Sequence, residues 1–312
     1  TMTLQQIRYV ITIAEKGSMN KASETLFVSQ PTLTSAIREL EMEIGITIFI
    51  RTSRGVFLTA EGEEFLADAR QLFQEYQWIN DKYSDAKTVR QKFSVSTQHY
   101  SFVDKAFVET VKQFGTSSFD FSIREEETAR VIQNVREMRS QIGILYESDY
   151  NRKLLTKLLN EGGLEFHHLI DCNAYVYIWK GHPLAEEEYI TFEQLTDYPC
   201  LSFDQGKDAS NYLAEEILTE NEYPRVIHTT DRATMLNLMV GLNGYTLCSG
   251  IICEELNGSD YIAVPYKGDE ENMNAVMEIG YIQKKGYVQN HIGQTFLKEI
   301  KNYLCIPVED EV

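Results

Sequence analysis

The run from Thr59 to Ala86 constrains this chain more than any other stretch. After Gly62 it holds no glycine and no proline, so nothing in it breaks a helix that Thr59 can cap. About 27 residues at 1.5 Å each give a rod of roughly 40 Å, longer than a small domain is wide. Such a rod divides the 312-residue chain into a short N-terminal part and a long C-terminal part. Phe65, Ala69, Leu72, Tyr76, Ile79 and Tyr83 follow one another at alternating spacings of four and three, which is a heptad seam. Leu66, Phe73 and Trp78 widen the stripe. The seam either lies on its own small domain or joins two copies of the chain, and its breadth favours pairing. The expected divisions are residues 1–58, a linker helix over 59–88, and a domain over 92–305.

The N-terminal part reads as three helices. Leu4, Ile7, Val10, Ile11 and Ala14 recur at helical spacing up to Gly17, which ends the first. Ser18 can cap a short second helix carrying Ala22 and Leu26, and Phe27-Val28 makes a tight turn. Ser29 can cap the third, with Pro31 in its first turn, where a missing N–H costs nothing. In that helix Leu33, Ile37, Leu40 and Ile44 lie in one arc, while Pro31, Thr34, Ser35, Arg38 and Met42 face away. Its exposed face near the N-terminus therefore holds short hydroxyls and one arginine. Groups of that kind reach base edges and phosphates in a major groove, although a plain solvated face on a small bundle has the same spacing.

The next residues favour the nucleic-acid reading. Ile48-Phe49-Ile50 and Val56-Phe57-Leu58 are β-prone runs around Arg51-Thr52-Ser53-Arg54-Gly55. This is the pattern of a hairpin wing with two cations at its tip, able to enter a minor groove or grip phosphates. The segment from Ala22 through Thr34, with Ile37–Glu41, Ile44-Gly45, Ile48–Thr52 and Leu58–Gly62, resembles the winged helix-turn-helix of LysR-type transcriptional regulators. The resemblance runs through residues 4–62 without a gap. Ser35 departs from the basic residue common there. It implies DNA contacts from Ser29, Gln30, Pro31, Thr32, Thr34, Ser35, Arg38, Arg51, Thr52, Ser53 and Arg54. It also implies that the linker helix pairs two chains.

The net charge of −18 does not oppose that reading, because the charge is uneven. Residues 1–59 carry six Lys/Arg against five Asp/Glu, and residues 91–312 carry nineteen against thirty-five. The N-terminal part is near neutral and free to present a local basic surface. With 43% apolar and 24% charged residues the chain is of globular composition. No apolar run approaches about 18 residues, and no secretory signal is visible, so no membrane association is expected. Cys172, Cys200, Cys248, Cys253 and Cys305 are odd in number, with no Cys-x-x-Cys pair. That argues for reduced thiols in a cytoplasm. Thr1 before Met2 reads as an added residue.

From Lys92 onward strands and helices alternate. Phe93–Ser96, Phe119–Ile123 and Ile142–Leu145 read as strands around two helices, a βαβαβ unit with a mostly parallel sheet. A second cycle holds strands at Ala174–Trp179, Cys200–Phe203, Val226–Thr229, Tyr245–Cys248 and Tyr261–Val264, and Val276–Ile282 with a helix near Val288–Leu304 remains. The family resemblance, which includes Lys180-Gly181-His182-Pro183-Leu184-Ala185, is looser here. It implies an α/β multidomain chain ending in a two-lobed, Rossmann-like effector-binding domain of the periplasmic-binding-protein type. Lobe I would comprise about 92–162 and 268–305, and lobe II about 163–267.

No nucleophile elbow, dinucleotide or phosphate loop, or His-Glu-x-x-His occurs, so neither an enzyme nor a cofactor is expected. His167 and His168 are adjacent and point to opposite sides of a strand, poor joint metal ligands. Cys248 and Cys253 leave a thiol switch as an alternative, but their apolar neighbours suit inert core residues better. The cleft between lobes is the default ligand site. Thr97, Gln98, His99, Tyr100, Ser101, Thr128, Ser202, Phe203, Thr230 and Asp231 stand near strand ends where helices begin; each suits a helix cap, and the resemblance implies that they converge on this cleft as effector contacts. Helix N-termini favour anions, and the resemblance implies a small anion or amino-acid-like metabolite. It further implies promoter DNA as partner, contact with RNA polymerase, and a homodimer or homotetramer. A solute-binding module with a relic DNA domain, and an enzyme fused to one, are the rival readings.

Overall fold

The computed structural model describes residues 1–52, 55–83, 90–115, 118–206, 211–216, 222–268 and 276–307; the side chains of 78, 81–83 and 211 also fall outside the description. The chain divides into two compact units, Thr1–Val89 and Arg90–Val312.

In the first unit α1 spans Leu4–Lys16, α2 Met19–Leu26 and α3 Gln30–Ile44. Thr3 and Gln6 cap α1 reciprocally, and Ser18 and Ser29 accept from backbone N–H groups at the starts of α2 and α3. Gly17 and Gly45, both left-handed, end α1 and α3. Leu33, Ile37 and Leu40 are buried against Tyr9, Val10, Ile13, Met19 and Ala22, so the apolar arc of α3 is the face that packs. Glu41 accepts from the N–H groups of Ile48 (2.7 Å) and Phe49 (3.1 Å), pinning the end of α3 to the wing.

The wing pairs β1, Phe49–Thr52, antiparallel to β2, Gly55–Leu58. Its strands run further than the sequence pattern suggests: Arg51 pairs with Val56 and Thr52 with Gly55. Both residues therefore lie in the ladder and not in the turn. Helix α4 covers Ala60–Tyr83. Thr59 Oγ1 accepts from the N–H of Gly62 at 2.8 Å, and a Cβ at Gly62 would come within 2.2 Å of the Ile48 carbonyl oxygen. Only glycine lets this helix start so close to the wing. Leu66 joins the N-terminal core with Phe65 packed against it. Leu72, Tyr76 and Ile79 remain 44%, 42% and 51% exposed.

In the second unit the elements are β3 Gln91–Thr97, α5 Ser101–Phe114, β4 Phe119–Glu125, α6 Thr128–Arg136, β5 Ile142–Glu147, α7 Arg152–Glu161, β6 Leu164–Asn173, β7 Tyr175–Trp179, α8 Phe192–Leu195, β8 Cys200–Phe203, β9 Val226–Thr229, α9 Arg232–Leu242, β10 Thr246–Cys248, α10 Glu254–Asn257, β11 Tyr261–Pro265, β12 Val276–Lys284 and α11 His291–Tyr303. The first sheet has the order β4-β3-β5-β12-β6. β3 is parallel to β4 and β5, and β12 is antiparallel to β5 and β6. Its core holds Phe93, Val95, Ile142 and Ile144 with Phe102 and Phe296 of α5 and α11.

The division expected at residue 163 places β6 in lobe II, and the structure places it in the lobe I sheet. Leu164–Asn173 forms a long ladder with β12, burying Leu164, Leu169 and Cys172. The second lobe holds the antiparallel sheet β10-β7-β11 and the parallel pair β8-β9, joined by a bridge between Cys200 and Tyr245.

Candidate functional site

Two sites arise, one in each unit. On α3, Ser29, Gln30, Pro31, Thr32, Ser35 and Arg38 are exposed and Thr34 is half-buried; Arg51 and Thr52 are exposed on the wing. Ser29 Oγ lies 2.7 Å from Thr32 Oγ1, Gln30 donates to Thr34, and Ser35 donates to Glu39 at 3.3 Å. Arg38 and Arg51 have no ion-pair partner among the described residues. Ser53 and Arg54 lie outside the described residues. Phe27, in the turn before α3, has a left-handed backbone and a 95% exposed ring. No sequence signal marks it, because an aromatic at the end of an amphipathic helix ordinarily packs inward.

In the second unit Thr97, Gln98, Ser101 and Thr128 are brought together and buried. They are also largely committed to one another. Thr97 donates to the Gln98 carbonyl at 2.7 Å. Gln98 donates to Thr128 at 2.6 Å and accepts from Tyr100 and from the Tyr146 N–H. Thr128 donates to the Leu213 carbonyl at 2.7 Å and its N–H is taken by Gln205 at 3.0 Å, so this cluster fastens one lobe to the other. The short helical turn Asn211–Leu213 and the residues after it reach across to lobe I. Tyr146 donates to the carbonyls of Ala214 and Glu216.

The open space lies beside this cluster. A cavity of about 680 Å³, its mouth included, is lined by His99, Tyr100, Ser101 and Phe203 and by Tyr177, Glu215, Glu216, Arg232, Met235 and Thr246, among others. Four of the ten expected effector residues therefore line it: His99, Tyr100, Ser101 and Phe203. Thr97, Gln98 and Thr128 stand behind the wall, and Ser202 donates to Glu216. Thr230 and Asp231 are exposed. Asp231 caps α9, accepting from the Thr234 N–H and hydroxyl, and those bonds hold its carboxyl below the usual range.

No sequence signal marks Glu215 and Glu216, because charged residues are rarely buried without a partner. Each is 6% exposed. Glu215 accepts from the His99 N–H at 2.9 Å and lies 2.8 Å from His99 Nδ1. Glu216 accepts from the Phe203 N–H at 2.7 Å. Burial, then the neighbouring Glu215 charge, push the Glu216 carboxyl up to about 7. Arg232 donates to Asp104 at 2.6 Å and pairs with Glu125.

The remaining candidates fall elsewhere. Burial pushes the Cys248 thiol up to about 12, opposite to the lowered value a reactive thiolate needs. His168 lies 2.6 Å from Asp171, while His167 stacks on Tyr281, so the two rings take different partners. Among the described residues no helix is long and apolar enough to cross a membrane.

Comparisons with known proteins cover both units. Residues 4–63 match the family described as bacterial regulatory helix-turn-helix protein, lysR family. Residues 117–304 match the LysR substrate binding domain. The Hca operon transcriptional activator HcaR of Escherichia coli (strain K12) is 25% identical over 288 residues, 88% of this chain and 91% of the relative. An uncharacterized HTH-type transcriptional regulator of the same organism, YnfL, is 30% identical over 204 residues. That match covers 64% of this chain and 65% of YnfL, just under two thirds of the relative's length. A full-length OxyR variant from Pseudomonas aeruginosa shares the fold with a TM-score of 0.67 at 19% identity, covering 96% of this chain and 95% of that one. Full-length CbnR, complexed with its target DNA, gives 0.51 at 18% identity over 97% and 100%.

Proposed function

The chain belongs to the LysR family of DNA-binding transcriptional regulators with an effector-binding domain, and from that premise we propose how it works. Helix α3 enters the major groove of promoter DNA, and the wing grips the adjacent backbone. A small molecule, an anion or an amino-acid-like metabolite, binds between the lobes and changes their spacing. Paired chains, joined through the exposed half of the α4 seam as dimers or tetramers, pass that change to the DNA and to RNA polymerase. The action is binding and conformational response in the cytoplasm, without turnover.

The observation that carries the DNA reading is the placement of Arg38 and Arg51. Both are exposed and without an ion-pair partner among the described residues, although acid outnumbers base in the chain as a whole. Cations left unpaired in so acidic a chain suit a polyanion. Support by analogy comes from CbnR, whose structure holds its target DNA. Selection of bound fragments from a random duplex library tests the proposal. Enrichment of a two-fold symmetric site whose affinity falls steeply with salt is expected, and a library that stays random under low salt overturns it.

A further inference from the structure

The wall of the interlobe cavity is apolar along Met235, Leu236, Leu247 and Ile251 and carries two carboxylates, Glu215 and Glu216. Among the described residues that line it the one guanidinium, Arg232, is already held by Asp104 and Glu125. A ligand carboxylate would meet two buried acids and an Arg232 whose charge two carboxylates already balance. Several donors beside the two acids are taken by the acids themselves, while the Thr246 and Tyr177 hydroxyls on the wall have no hydrogen-bond partner among the described residues. The His99 N–H and Gln205 Nε2 both donate to Glu215, the latter at 2.8 Å. Phe203 and Ser202 both donate to Glu216. The chain's own carboxylates thus sit where an anionic ligand would sit.

A protonated amine meets the opposite situation. Carboxylate oxygens accept more than one hydrogen bond each, and an ammonium brings three donors with the charge that the adjacent acids lack. A second observation points to a ligand. Thr246 Oγ1 lines the same cavity, is 95% buried by residue, and has no hydrogen-bond partner among the described residues. A buried hydroxyl without a partner is costly unless something fills the space beside it.

We propose that this cavity takes a small molecule with a protonated amine on an apolar body and no carboxylate, its ammonium seated against Glu215 and Glu216. The proposal rests on the reading of the cavity as the effector site and narrows the ligand class.

The test is titration calorimetry on the full chain with matched probes near pH 7.5. Three skeletons (butyl, 2-phenylethyl and 2-(indol-3-yl)ethyl) are each offered as amine, alcohol and the corresponding carboxylic acid. At least one amine is expected to bind about tenfold or more tightly than its alcohol and its acid. Glu215→Gln and Glu216→Gln should each weaken that amine by about tenfold. If the variants do not fold, the ranking of charge classes by the parent chain decides alone. An acid or alcohol that binds as tightly as its amine overturns the proposal and leaves the regulator reading intact. No amine binding below about 10 mM also overturns it. A random DNA selection overturns the regulator reading without touching the amine result.

Discussion

His99 and Phe203 stack face to face, ring centroids 3.7 Å apart and planes within 6°. His99 follows β3 in the first lobe and Phe203 ends β8 in the second. The stack is therefore a fastening between lobes, and Glu215 holds the same imidazole from the side. Both rings also line the cavity. Under the proposed function, a molecule entering that space touches a contact between the lobes, which is the coupling a sensor needs.

His99→Ala removes the stack and leaves Glu215 with fewer donors. A stability loss of about 2–4 kcal/mol is expected, from the lost ring contact and a buried carboxylate that is less well satisfied. His99→Phe keeps the stack and should recover part of the loss. Urea unfolding of the full chain measures both. An unfolding midpoint for His99→Ala equal to the parent's would show that the fastening carries no energy.

The fold was legible where periodicity was strong and local. The arc Leu33, Ile37, Leu40 reappears as the buried face of α3, because a helix that must cover a small core has one solution for its apolar stripe. Caps at Ser18 and Ser29 were readable for the same local reason. No local pattern assigns the strand Leu164–Asn173 to lobe I, because its partner β12 lies more than a hundred residues away. The cavity was half legible. His99, Tyr100, Ser101 and Phe203 stand at strand ends, where such sites form, whereas Glu215 and Glu216 come from a short turn whose sequence looks solvent-facing.

The raised Glu216 carboxyl makes stability depend on pH with a definite sign. In the folded chain it keeps its proton up to about 7, against 4.5 for the ordinary value. The native state thus binds more protons than the unfolded state between those values, and stability falls as pH rises through that window. The full effect is on the order of 3 kcal/mol. Glu216→Gln can keep an acceptor for the Phe203 N–H and has no proton to lose. Its Tm should exceed the parent's by roughly 6–12 °C near pH 8, with the gap closing below about pH 5. A gap that does not change with pH would show that Glu216 does not titrate in that window.

Two substitutions on α4 should behave differently. Leu72→Glu places a charge on the exposed half of the seam, so it should leave the N-terminal unit folded and break chain pairing by several kcal/mol. Leu66→Glu places one in the N-terminal core and should unfold that unit. Sedimentation velocity with circular dichroism separates the two results. A Leu72→Glu chain that remains as dimeric as the parent would show that the seam does not join chains.

Arg38→Ala and Arg51→Ala should weaken DNA binding without lowering thermal stability, because neither side chain has an ion-pair partner among the described residues to lose. Their effects should differ in kind. Arg51 pairs its backbone with Val56 in the wing ladder, and under the proposed function the wing grips the duplex backbone. Losing one phosphate contact lowers the slope of log affinity against log salt by about one and weakens all sequences alike. Arg38 stands on the exposed side of α3, the helix proposed to read bases. Losing a bidentate base contact costs about 1–3 kcal/mol on the selected site and less on random DNA, so specificity falls with affinity. Fluorescence anisotropy over a salt series, on the selected site and on a scrambled one, measures slope and specificity together. Equal affinities for parent and both variants at matched salt would remove α3 and the wing from the DNA contact.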